Sequence, residues 1–197
     1  TAAEFLRRTP AAGGDGLYDD MLAAWERWSA QLLETHISYP VLAYYRSQHS
    51  NQSWLAALTT ILDSTSLLLA RPGAASASQA QLTFAMGRHA LVDITQIFVP
   101  HFTPAACERL TPEGVQALRK LLADTPMSLP TADEFAIRLA ERRLLYEPYA
   151  QALGAYLLFE LPPWVHAQPR RDNWQGGPWD KLISTRTGQG QRSDEHF

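Results

Sequence analysis

"YYRSQHSNQSWLAALTTILDSTSLLLA", residues 44–70, decides the fold of this 197-residue chain. A polar run, Arg46-Ser47-Gln48-His49-Ser50-Asn51-Gln52, leads into an almost wholly apolar segment that carries one carboxylate, Asp63, near its middle. The segment from 53 to 70 shows no strand alternation bounded by turns. It reads as a buried helix, with Ser50 or Asn51 as its N-terminal cap. Arg71-Pro72-Gly73 is its stop signal.

Helical spacing continues on both sides. Before it, Asp15 or Gly16 precedes "LYDDMLAAWERWSAQLLETH", in which Met21, Leu22, Trp25, Trp28, Leu32 and Leu33 recur at helical intervals. Its acids stand in the first turn, where the helix dipole favours them. Ser38-Tyr39-Pro40 restarts the chain into the short helix "VLAYYRSQH", with proline acceptable in a first turn. After it, a helix over 77–98 is ended by Pro100, and Thr111-Pro112-Glu113 opens another that ends near Asp124. Thr131 and Glu134 form a capping box for the longest helix, "ADEFAIRLAERRLLYEPYAQALGAYLLFE", bent or interrupted at Pro148 and stopped by Pro162-Pro163. The expected fold is all-α: a single bundle of about six helices over residues 17–163. A linker, 1–16, precedes it. An irregular tail, 164–197, follows, docked in part through Trp174 and Trp179 and disordered over its last dozen residues.

Composition narrows the function classes. Apolar residues make up 46% and charged residues 19%, enough for a packed core. The net charge is −3, lysine occurs only at 120 and 181, and no helix carries a basic stripe, so nucleic acid is not an expected partner. The one cysteine, Cys107, forms no intrachain disulfide and fits a reducing compartment as a small buried hydrophobe. No apolar run reaches the roughly 20 residues of a membrane span, and Asp63 interrupts the nearest, Trp54–Ala70. Because the sequence starts at Thr1, it is expected to be processed or to be a piece of a longer protein.

Five residues are the candidates for chemistry. Arg46 and His49 are three apart and share a helical face, Asp63 lies in the apolar helix, and His89 and Asp93 are four apart on the next one. If these helices are neighbours, all five converge in the core. Two histidines and two carboxylates on facing helices hold metal in di-iron bundles, but neither Glu-x-x-His nor His-Glu-x-x-His occurs here. The expectation is therefore a buried, charge-paired network. An arginine answers Asp63 and fixes helix register, with no metal, cofactor or catalytic residue. The Asp pair in "YDDM" lacks the second acidic pair of helical prenyl-diphosphate enzymes, and no Gly-x-Ser-x-Gly elbow is present.

One resemblance goes further. Trp25 and Trp28, then Ser38 to Leu42, Arg46 to His49, Gln52 to Leu55 and Leu62-Asp63, followed by "GRHALVDITQIF" (Gly87–Phe98), form a distinctive series. The series resembles the soluble C-terminal region of bacterial ion-channel proteins of the two-pore-domain potassium-channel type. The likeness covers roughly residues 20–100 and extends toward 160. It implies an upstream transmembrane pore module in the same chain and a domain at the cytoplasmic face of the inner membrane. That domain would regulate, assemble or sense a ligand rather than catalyse, and it would form a homo-oligomer. No Thr-Val-Gly-Tyr-Gly filter occurs, so nothing in this chain itself conducts ions. On this reading Arg46, His49, Asp63, His89 and Asp93 are the ligand-sensing site. The alternatives are a metal-dependent helical enzyme built on the same residues and a stand-alone interaction domain docking through its tail.

Overall fold

The computed structural model describes residues 1–8, 14–45, 53–71, 77–102, 109–123, 129 and 133–165. Among these the chain is all-helical. It forms α1 (Ala2–Arg8), α2 (Gly14–Ser38), a 3-10 helix (Pro40–Tyr44), α3 (Trp54–Ala70), α4 (Ala77–Phe98), α5 (Pro112–Leu122), α6 (Asp133–Leu144) and α7 (Glu147–Leu157). An irregular strap, 159–165, follows α7 and closes the first compact unit, Thr1–Val165. The segment 166–197, with Trp174 and Trp179, lies outside the described residues, as does Cys107.

The spine is α3, in which Asp63 and every residue from Ile61 to Leu68 are buried. A buried helix rich in Ser and Thr would be costly if its hydroxyls went unpaired. Here they bond within the helix: Thr59, Thr60, Ser64, Thr65 and Ser66 each donate to the carbonyl four residues back, at 2.7–2.8 Å. That leaves the leucines to drive packing, each worth about 1.5–3 kcal/mol when fully buried. Leu55, Leu58 and Leu62 enter one core cluster with Phe84, Leu91, Ile94 and Tyr146. Leu67, Leu68 and Ala70 enter a second with Leu22, Leu118, Phe135 and Trp164. At the α3–α4 crossing Gly87 allows close approach: a Cβ there would stand 3.3 Å from the Leu62 Cδ2.

The N-terminal linker expectation is corrected. Residues 2–8 form α1, and Ala2, Ala3 and Leu6 are buried in the core. The Thr1 hydroxyl accepts the Glu4 N–H at 3.3 Å, and Phe5 packs on Trp25 with ring centroids 4.6 Å apart. A seven-residue helix cannot hold itself in water, so tertiary packing supplies its stability. Residues 14–16, also expected in the linker, belong to α2. One local detail differs as well. The cap of α3 is Ser53, whose hydroxyl accepts the Ala56 N–H at 3.0 Å, rather than Ser50 or Asn51. The interruption expected at Pro148 is present: the long C-terminal helix breaks into α6 and α7 at Leu145-Tyr146, just ahead of the proline, whose ring excludes the carbonyl four residues earlier, that of Leu144. Thr111 caps α5 as expected, accepting the Gly114 N–H at 3.2 Å. The Thr131 capping box lies outside the described residues.

Candidate functional site: a buried charge network on Asp63

Asp63 is buried at the centre of α3 and is answered by an arginine 46 residues away. Arg109, just ahead of α5, donates from both terminal nitrogens: Nη2 to Oδ2 at 2.6 Å and Nη1 to Oδ1 at 3.3 Å. Oδ1 also accepts the Tyr146 hydroxyl at 2.5 Å. The same Arg109 Nη2 donates to the Pro162 carbonyl of the strap at 2.8 Å, and Nη1 lies 3.3 Å from the Glu147 Oε1. Arg143 completes the group, with Nε and Nη2 each 2.9 Å from the Glu147 Oε2 and Nη1 donating to the Leu110 carbonyl at 3.2 Å. The Trp164 ring receives both guanidinium groups, each with its carbon 5.7 Å from the ring centroid. Two carboxylates and two guanidinium groups balance formally, so the core holds charges without a net charge.

Local structure sets each of these positions. The break at Leu145-Tyr146 turns the Tyr146 ring inward against Phe84, edge-on at 6.0 Å, and starts α7 at Glu147. Arg143 on α6 reaches Glu147 across that break at the i,i+4 spacing. The strap lies over the group because Pro162 offers a carbonyl and Trp164 an indole. Trp164 is 2% exposed. Two donors in this group, Arg109 Nε and Trp164 Nε1, are buried with no acceptor among the described residues.

Burial dominates the ionisation of the acids. It pushes the Asp63 carboxyl above its ordinary value, against the pull of Arg109 and Tyr146. Glu147 is raised in the same way, against Arg109 and Arg143. Burial lowers Arg109, but the Asp63 charge and hydrogen bond outweigh it and leave the guanidinium above its usual range. Burial is the largest single influence on both partners, and the opposing interactions together outweigh it only at Arg109. The guanidinium stays charged and donates to both Asp63 oxygens. Tyr146 is raised well above its ordinary value by burial and then by the Asp63 charge, so it stays a neutral donor.

The expected five-residue convergence is not what the structure builds. His89 and Asp93 pair with each other on the α4 surface, Nδ1 to Oδ1 at 3.6 Å, with side chains 61% and 36% exposed. An exposed pair of this kind is worth little. Arg46 and His49 lie outside the described residues. Among the described residues no group of three or more His, Cys, Asp or Glu is placed to hold a metal ion. Asp63 is the one predicted position found in the core network, and its arginine partner is Arg109. The Arg143–Glu147 spacing in "RRLLYE" was a legible signal. Arg109 had none, because it lies outside any helix.

No protein-family model, no curated protein and no solved structure matches the chain. The site's chemistry must then come from its own atoms. Asp63 Oδ1 accepts from Arg109 Nη1 and Tyr146 and Oδ2 from Arg109 Nη2, so three of the carboxylate's roughly four acceptor positions are used inside the core.

Proposed function

We propose that this chain is a non-catalytic regulatory or assembly domain of an ion-channel-like bacterial membrane protein, facing the cytoplasm. The observation that supports the non-catalytic part is the engagement of the buried Asp63 carboxylate by Arg109 and Tyr146. One carboxylate draws α3, the segment before α5, the α6–α7 break and the strap to a single point. Such a buried, reciprocally bonded group sets register among elements that hydrophobic packing alone would leave free to slide.

The channel-like part rests on the resemblance of residues 20–100. Several residues of the quoted motifs take structural places in the bundle. Ser53 caps α3, Trp54 donates to the Ala43 carbonyl at 3.2 Å, Asp63 anchors the network, and Gly87 seats Leu62. Among the described residues no helix is long and apolar enough to cross a membrane, so on this reading the pore lies in another part of the protein.

Assembly is supported by one end of the bundle. There Tyr44, Phe98 and Tyr156 form an aromatic group, with the two tyrosine hydroxyls 3.0 Å apart. Tyr39, Val41, Tyr45 and Leu158 beside them are exposed. Copies of the same chain are the expected partners, since pores are symmetric oligomers.

Fractionation of source cells tests the reading. An antibody to this domain should detect a membrane-bound chain much heavier than 197 residues. A soluble chain of this length would overturn it.

A further inference from the structure

His36 lies in the last turn of α2 and is only 5% exposed. Its Nδ1 stands 2.8 Å from the Leu32 carbonyl oxygen, which can only accept, so Nδ1 carries the hydrogen. In the neutral ring Nε2 is then a bare acceptor. It is buried and has no donor among the described residues. The imidazole packs on Trp54 with centroids 4.6 Å apart, and that indole donates to the Ala43 carbonyl of the 3-10 helix. Phe159 of the strap meets the same indole edge-on at 6.5 Å. Trp54 thereby joins α2, the 3-10 helix, α3 and the strap, and His36 is the ionisable group stacked on it.

We propose that His36 is a proton-operated pin: neutral, it holds the end of α2 and the 3-10 helix against Trp54, and protonated, it withdraws to solvent and releases them. The second proton has to enter at Nε2, which leaves a charge and an unanswered N–H inside an apolar contact. The ionisable groups on the surrounding elements do not relieve it. None of Glu34 on α2, Tyr39, Tyr44 and Tyr45 at the 3-10 helix, and Glu160 on the strap acts on His36, which answers only to burial and the Leu32 carbonyl. Asp63 on α3 is held by Arg109, and His89 and Asp93 on α4 by each other. Burial lowers the His36 pKa, and the Leu32 carbonyl alone opposes it. The Trp54 face attracts an imidazolium but offers no acceptor for its N–H. Outside, the charged ring sits at a helix C-terminus, where the dipole favours a cation. The neighbouring Ile37 and Tyr39 are exposed, so this end of α2 borders solvent.

The folded pKa is lowered below the unfolded one, so the pin's contribution is present above the ordinary histidine value and is lost as pH falls through the folded pKa. The inference holds whether or not the chain belongs to a channel-like protein. The test is hydrogen exchange on the full chain at pH 7.5 and 5.5, corrected for intrinsic rates, in the natural protein and in His36→Phe, which keeps a ring but cannot titrate. Protection over residues 36–45 and 54–57 should fall at the lower pH, on the order of tenfold for each unit by which the pKa is lowered. Protection in α6 should not fall with it, and His36→Phe should abolish the change. Equal loss in the variant, or no loss in the natural chain, overturns the proposal. If His36→Phe does not fold, an NMR titration of His36 decides. A midpoint below the ordinary histidine value, moving together with the Trp54 indole N–H, supports the pin, and a midpoint at or above that value overturns it.

Discussion

Tyr146 donates its hydroxyl to the same Asp63 oxygen that Arg109 Nη1 approaches, from a position 83 residues farther along the chain. The turn between α6 and α7 is thereby fixed to the middle of α3 by one hydrogen bond to a charged group. Tyr146→Phe removes that bond while keeping the ring against Phe84. It should cost about 1.5–3 kcal/mol of unfolding free energy, read by denaturant titration. An unchanged midpoint would mean that the hydroxyl carries no weight in the network.

Asp63 and Glu147 have raised pKa values, so their sign in pH dependence is opposite to that of His36. An acid whose folded pKa lies above its unfolded one contributes stability that is fully present below the unfolded pKa and lost as pH rises through the folded pKa. In a His36→Gln chain, where the histidine contribution is gone, lowering pH from 7.5 toward the ordinary carboxylate range should raise the denaturation midpoint. A midpoint that falls over that range would show that pairing with the arginines, rather than burial, governs both acids.

Leu158 ends α7 in the left-handed region, at φ 56°, and is 76% exposed. A leucine there is strained relative to glycine by roughly 1–2 kcal/mol, part of which is offset by the greater freedom of an unfolded glycine. Leu158→Gly should therefore stabilise the isolated domain by about 0.5–1 kcal/mol in thermal or denaturant unfolding. Destabilisation would mean that the leucine side chain makes a contact worth more than its strain.

Legibility in the sequence followed the range of the interactions. Helical spacing and proline breaks placed α2, α3, α4 and α5 within a few residues, because those signals lie within one turn of the structure they specify. The turn chemistry of "TPAAGGDG" hid α1, whose seven residues need a core that only the folded chain provides. Asp63 was legible as a buried acid requiring an arginine. The choice of Arg109 was not, because the pairing depends on how a non-helical segment lies across α3. His89 and Asp93 have a spacing that suits a site, yet the face they share turns to solvent, and spacing along one helix does not say which face the neighbours cover. His36 was passed over because its surroundings, Trp54 and the bond back to Leu32, become visible only in three dimensions.

The central claim is that Asp63 and Arg109 serve as a structural strut. The direct test is a double-mutant cycle in which Asp63→Asn, Arg109→Gln and the double variant are compared by denaturant unfolding. Each single change strands a buried group and should cost about 3–5 kcal/mol, whereas the double change should cost clearly less than the sum of the two. Additive losses, or single variants that retain full stability, would contradict the strut and return Asp63 to the list of residues free to do chemistry.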